Sequence, residues 1–180
     1  MKLKGKIIIS VLIIAGALLG SAGCLGYKAE IGENTIPTNK ATNVSSNILE
    51  SEYGLITTEY VRAKDGDTLV VKKDGKEVTI RLIGIDTPES VHPDQNKNTK
   101  EGESASEYTK NLLKDIKTLY LEYDINRTDK YGRDLAYVWL SPDKTDCNNM
   151  LNYKLVKDGI AVAKEYKPNV KYSEVLKSAK

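Results

Sequence analysis

The chain has 180 residues and 19.9 kDa, 40% of them hydrophobic and 29% charged, with 27 Lys+Arg against 25 Asp+Glu. That length suits one compact domain plus extra segments and excludes a multidomain machine or a large barrel enzyme; the apolar share excludes a chain disordered throughout. The formal charge of +2 misleads, because Lys2, Lys4 and Lys6 precede any acid while residues 51–180 hold 22 basic and 22 acidic side chains; bulk charge gives no basic domain of the kind nucleic-acid binders usually show.

Three lysines, the apolar run Ile7–Leu19, the small residues Gly20-Ser21-Ala22-Gly23 and then Cys24 follow the order of a secretory signal. The Ala22-Gly23-Cys24 ending resembles a lipoprotein signal, which makes Cys24 the lipidation position, with Ser21 where an aliphatic residue is usual. The other reading is an uncleaved membrane anchor, at the short end of the ~17–25 residues that span. Either route leaves the lysines inside and the rest of the chain outside. Residues 1–26 are therefore read as the export segment, with the domain membrane-anchored or secreted. With Cys24 used in anchoring, only Cys147 remains, which excludes a disulfide framework; two cysteines so far apart make no zinc site. Cys147 reads as a structural residue at a helix start. Residues 27–51, rich in Asn, Thr and Ser, read as a flexible stalk, and residues 52–180 as the folded domain.

Within that domain, Tyr60-Val61-Arg62-Ala63 reads as the end of a strand, Asp65-Gly66 as a turn and Thr68–Lys72 as a second strand. Asp74-Gly75 gives a hairpin turn before a strand over Glu77–Ile85, so the first three strands form an antiparallel meander. The polar stretch Asp86–Lys100 is an unusually long loop, a mark of function in a compact domain. A helix is expected from about Glu101 to Asp115 with Ala105, Tyr108, Leu112 and Leu113 inward. Leu119, Leu121 and Tyr123 alternate as a fourth strand, and Leu135–Leu140 is a fifth. A second helix is expected over Asn148–Asp158, stopped by Gly159, and a short third over Tyr172–Ala179. The fold class is α+β, mainly β: a five-stranded Greek-key barrel of the OB type with three helices.

Asp65-Gly66-Asp67-Thr68 puts two carboxylates at a turn, and Arg81 through Glu89 adds two more where a strand ends. Clustered carboxylates repel without a cation or proton, and oxygen ligands suit hard cations such as Ca²⁺. Taken alone, each segment is more often a turn signal or a solvated loop end. A third segment, Thr128-Asp129-Lys130-Tyr131-Gly132-Arg133-Asp134, precedes the fifth strand. Together with His92-Pro93 and Tyr166-Lys167-Pro168-Asn169, these segments resemble the staphylococcal nuclease (thermonuclease) family in order and spacing, from about Arg62 to Asn169.

The resemblance implies an OB barrel that hydrolyses phosphodiester bonds of DNA and RNA with Ca²⁺, endonucleolytically, leaving 3′-phosphate products, as a monomer. It implies Asp67 and Asp86 as calcium carboxylates, Thr87 as the donor of a backbone carbonyl and Asp65 as an acid supporting them. Glu89 matches the general base for the attacking water, Arg81 and Arg133 the pair that grips phosphate, and Lys130, Tyr131 and Tyr166 the nucleotide pocket. The roles are physically sensible: guanidinium forks match phosphate oxygens, and a carboxylate can take a proton from water. His92, the single histidine, reads as a loop residue rather than a ligand. With 11 Tyr and no Phe, most tyrosines read as core. Lys164 stands where family members often carry an aromatic ring, which weakens stacking on a base, and the last helix is short for the family. The alternatives are a non-catalytic nucleic-acid or protein-binding module on the same barrel and a surface lipoprotein that binds Ca²⁺ only for stability. Neither needs both arginines together with Glu89.

Overall fold

The computed structural model describes residues 54–90 and 98–179. The export segment, the stalk, Cys24 and His92 lie outside the described residues.

Five of the seven strands among the described residues close into a barrel, whose order around the sheet is first, second, third, sixth and fifth along the chain. Strand β1 (Ile56–Asp65) runs antiparallel to β2 (Thr68–Lys73), and β2 antiparallel to β3 (Lys76–Leu82). The turn between β2 and β3 is Asp74-Gly75, with φ of 52° and 77°; both residues are left-handed, as a two-residue hairpin that follows strand twist requires. The strand expected over Glu77–Ile85 is in fact split. Gly84 has φ 78°, and a Cβ there would meet Leu176 Cδ1 at 2.5 Å. The chain therefore turns off the barrel at Ile83-Gly84. A short strand β4 (Ile85–Asp86) pairs instead with β7 (Val162–Ala163), an element the sequence did not signal. Strand β5 (Thr118–Thr128) is antiparallel to β6 (Asp134–Trp139) and closes the barrel against β1. The β3–β6 pairing is parallel, Arg81 opposite Leu135.

Helix α1 (Lys100–Leu113) begins where Thr99 Oγ1 accepts from the Gly102 N–H, with Glu101 and Glu103 in its first turn and Lys110 in its last, each sign matched to the helix dipole. Its buried face is Gly102, Ala105, Ser106, Thr109 and Leu113. The expected inward Tyr108 and Leu112 are only half-buried, and the Tyr108 hydroxyl bonds Asp158. The helix expected over Asn148–Asp158 is also interrupted. A 3₁₀ turn at Cys147–Asn149, capped by Asp146, gives way to extended Met150, which bridges to Trp139 before α2 (Leu151–Lys157) begins. Cys147 thus opens a helical turn as expected, but it is disulfide-bonded, which corrects the expectation that it stands as a lone cysteine. Gly159 at φ 74° ends α2, and α3 (Ser173–Lys177) is the third helix.

The core is aliphatic, with Leu69, Ile80, Leu121 and Leu155 fully buried, plus the aromatic trio Tyr137, Trp139 and Tyr172. The Tyr172 ring meets Tyr137 and Trp139 edge-on, centroids 4.7 and 5.8 Å away. Two buried polar side chains fix the elements. Asn152 of α2 accepts from the Val138 N–H and donates to the Ile83 carbonyl, at 2.9 and 2.8 Å, pinning the helix to the point where β3 leaves the barrel. Glu122 accepts from Trp139 Nε1 and the Tyr172 hydroxyl, and pairs with Lys144 and Lys171 at 3.1 and 2.7 Å.

Burial pushes the Glu122 carboxyl up, but the two ammonium groups outweigh it and hold it below the ordinary glutamate range. A lowered native pKa stabilises fully above the unfolded value, and that contribution is lost as pH falls through the native one. Glu122→Gln should cost about 1.5–3 kcal/mol at pH 7, the worth of charge-assisted hydrogen bonds. Urea unfolding should show the gap between wild type and variant closing as the buffer is acidified below the glutamate range; a gap independent of pH would contradict the ion cluster.

Candidate active site

The site grows from the point where β1 turns into β2. Asp67 is buried at this turn, and its Oδ2 accepts from the Thr87 N–H and pairs with Arg81 Nη2, each at 3.0 Å. The same Arg81 Nη2 lies 2.8 Å from Asp86 Oδ1, while Arg81 Nη1 donates to the Leu82 and Ile85 carbonyls at 2.9 and 3.1 Å. One guanidinium thus holds together the turn, the end of β3 and β4. Gly66 leaves room for this closure: a Cβ there would sit 2.9 Å from Thr87 Oγ1 and 3.0 Å from Ala105 Cβ. Asp86 is the more exposed carboxylate, and its Oδ2 pairs with Lys164 Nζ at 2.7 Å. Hydrogen bonds from Lys164 to Asp86 and Tyr166 push its ammonium well above the ordinary lysine range.

Asp65 is not part of that cluster. Its Oδ1 accepts from the Gly66 N–H and from the Ser90 hydroxyl at 2.8 and 2.7 Å, so it braces the residue next to Glu89. The Glu89 carbonyl accepts from the Thr99 N–H at 3.0 Å, where α1 begins. Its side chain is exposed, with no ion pair or hydrogen bond among the described residues.

Arg133 comes from the connection between β5 and β6. Asp129 organises that connection: its Oδ1 accepts from the Tyr131 and Arg133 N–H groups at 2.9 and 3.0 Å, and its Oδ2 holds Arg133 Nε at 2.7 Å. Burial raises the Asp129 carboxyl, but the Arg133 N–H and guanidinium and the Tyr131 N–H bring it below its ordinary value. Asn126 and Asn169 clasp the far wall through two backbone–side-chain bonds of 2.8 and 2.9 Å.

A cavity of about 480 Å³ lies among these elements and brings together Arg81, Asp86, Glu89, Lys130, Tyr131, Arg133 and Tyr166. Those are seven of the site positions picked out from the sequence; Asp67 and Thr87 are buried behind Arg81. Lys164, Lys167, Asn126, Asn169 and Asp129 also line it. Sequence reasoning gave the last three no role, although Asp129 and Asn169 fall inside segments it had singled out. Asn126 carried no signal, since only the fold sets it against Asn169.

No three His, Cys, Asp or Glu residues converge among the described residues, which present two carboxylates here. The donors do fit a hard cation. Asp67 and Asp86 already converge on one positive nitrogen, the ligands are oxygens, and Thr87 Oγ1 beside them is buried without a hydrogen-bond partner among the described residues. Oxygen ligands are what Ca²⁺ prefers, with water completing its coordination.

Residues 79–180 match the protein family described as staphylococcal nuclease homologue. The thermonuclease of Staphylococcus hyicus is 46% identical over 123 residues, 68% of each chain. That of Staphylococcus intermedius is 46% identical over 118 residues, 66% of each chain. Endonuclease YncB of Bacillus subtilis (strain 168) is 41% identical over 120 residues, 66% of this chain and 53% of its own length. The match therefore spans about two thirds of the two staphylococcal relatives and about half of the Bacillus one.

The position of Glu89 depends on a glycine in α1. A Cβ on Gly102 would collide with the Glu89 carbonyl oxygen and carbon. In an exposed helix Gly→Ala gains about 0.8–1 kcal/mol, whereas overpacking costs about 1–3 kcal/mol. Gly102→Ala should therefore lower stability by about 1 kcal/mol in urea unfolding, and a variant more stable than wild type would contradict the close approach.

Proposed function

The chain belongs to the staphylococcal nuclease family and is a phosphodiester hydrolase, and from that premise we propose that it is a Ca²⁺-dependent endonuclease of DNA and RNA. In this reading it acts as a monomer outside the cell, anchored through residues 1–26 or secreted, and leaves 3′-phosphate ends. The observation that carries the proposal is a single cavity holding two guanidinium groups and a carboxylate that has no partner among the described residues. Export is supported by the basic, apolar and small-residue order before Cys24.

Each side chain has a task in that cavity. Arg133, tied to Asp129 through Nε, offers its terminal nitrogens to the phosphate, and Arg81, whose terminal nitrogens hold Asp67, Asp86 and the Leu82 and Ile85 carbonyls, would turn its fork to the phosphate only as a cation takes over those carboxylates. Both oppose the negative charge that grows on the phosphoryl oxygens during attack. Glu89 takes the proton of the attacking water as the new O–P bond forms, while the bond to the 5′-oxygen breaks and that oxygen leaves as the alcohol, taking a proton from solvent. Asp67, Asp86 and the Thr87 carbonyl would hold Ca²⁺, which when bound supplies charge neutralisation and polarisation of phosphate oxygens. Asp65 keeps Ser90, and with it the Glu89 segment, in place. Tyr131 and Tyr166 offer ring faces to the nucleotide and Lys130 a cation.

Lys164 gives this chain its own feature. Its ammonium occupies Asp86 Oδ2, so it competes with any cation for that oxygen. Calorimetric titration of Lys164→Gln with Ca²⁺ should show binding about two- to five-fold tighter than wild type, in line with an exposed ion pair worth under about 1 kcal/mol; equal or weaker binding would remove the competition. Glu89→Gln should cut kcat by about two to four orders of magnitude with little change in substrate affinity, measured on a short oligonucleotide, and a wild-type rate would exclude Glu89 as the base. The direct test is incubation with plasmid and RNA in Ca²⁺ or chelator. Cleavage of both that stops in chelator is expected; undiminished cleavage in chelator would contradict the metal, and no cleavage in Ca²⁺ would contradict the nuclease.

A further inference from the structure

Across the Tyr131 ridge from the first cavity lies a second cleft of about 530 Å³, lined by Lys64, Glu77, Val78 and Thr79 of the barrel wall. The two cavities share Tyr131 and Arg133. We propose that this cleft is a second nucleotide subsite, and that a single polynucleotide strand runs from the phosphate-gripping cavity over Tyr131 into it. This rests on the reading of the first cavity as the place of phosphodiester cleavage.

Three observations carry it. The ridge is rigid: besides the three bonds to its carboxylate, Asp129 receives the Gly132 N–H at its carbonyl, and its own N–H goes to the Arg133 carbonyl. Its tip is an aromatic ring 71% exposed, with Lys130 Nζ and Arg133 Cζ 5.0 and 5.4 Å from the centroid. An exposed ring flanked by cations suits an unpaired base and its phosphates, and does so without sequence preference. The far cleft also has the polarity that a continuing strand needs. Lys64 falls where the β1–β2 register skips between Ala63 and Asp65, and it is exposed with no ion pair among the described residues. Glu77, the one acid of the lining, is already countered by Arg62 at 3.0 Å. Val78 and Thr79 are half-buried, offering an apolar contact and a hydroxyl beside that cation. Each cavity falls within the ~300–1,000 Å³ of small-ligand sites, enough for a nucleotide. Because a polymer bound in the first cavity must leave it, the cleft sharing its wall is where the next unit meets a cation. A duplex would keep its bases from Tyr131, so the occupant is single-stranded.

The subsite makes Lys64 matter only for substrates long enough to reach it. The test is steady-state cleavage by the full chain of a dinucleotide ester and of a single-stranded octanucleotide, comparing wild type, Lys64→Gln and Lys64→Glu across a salt series. For the octanucleotide, kcat/KM should fall by about three- to ten-fold in Lys64→Glu and less in Lys64→Gln. The slope of its logarithm against log salt should flatten by about 0.7, the share of one phosphate contact on a single strand. Dinucleotide cleavage should stay at the wild-type level. Equal losses on both substrates, or no loss on either, would overturn the subsite while leaving the nuclease reading intact. If the wild-type protein cut neither substrate, that reading would fail and the subsite with it.

Discussion

Arg81 is the constraint on which the rest of this structure turns. Its guanidinium is nearly buried, 13% exposed, and one of its nitrogens serves both Asp67 and Asp86. Removing it would leave two carboxylates facing each other in a poorly solvated place, the arrangement that costs a protein most among charge losses. Its other terminal nitrogen holds the Leu82 and Ile85 carbonyls across the Ile83-Gly84 turn. The departure of the chain from the barrel, the pairing of β4 with β7 and the delivery of Asp86 and Lys164 to the cavity rim all pass through that grip. Fold and site share one residue.

The domain is electrically neutral over residues 51–180, so long-range attraction to a polyanion is modest. What it has is placement. Positive groups gather at the cavity mouth from four separate stretches: Arg81 on β3, Lys130 and Arg133 between β5 and β6, Lys164 after β7, and Lys167 beyond. Several are held by local acids, Arg133 by Asp129 and Lys164 by Asp86. Such pairs orient a cation at the expense of part of its field, which suits short-range grip on phosphate better than steering from afar.

Much of this was legible in the sequence wherever a local rule decides the outcome. Asp74-Gly75 had to be a left-handed turn, Gly159 had to stop a helix, and three ordered acidic and basic segments pointed to one site. Long-range packing decided the rest. Gly84 breaks the third strand because Leu176, far along the chain, fills the space a Cβ would need. The helix expected from Asn148 breaks at Met150 because that residue bridges to Trp139. Two-residue strands such as β7 have no periodicity to read. Asp65 sits in the same turn as Asp67, yet the turn aims its carboxylate at Ser90 rather than at Arg81. The Asn126–Asn169 clasp joins residues brought together only by the closed barrel.

We propose that Asp67 and Asp86, which share Arg81 Nη2, form a cation site. Thermal unfolding of wild type and Arg81→Gln, each in chelator and in saturating Ca²⁺, tests it without reference to catalysis. A ligand that binds only the folded state raises Tm in proportion to its affinity. The account predicts that Arg81→Gln melts well below wild type in chelator and that Ca²⁺ raises its Tm by more than it raises the wild-type value. A Ca²⁺ effect absent from both proteins would contradict it.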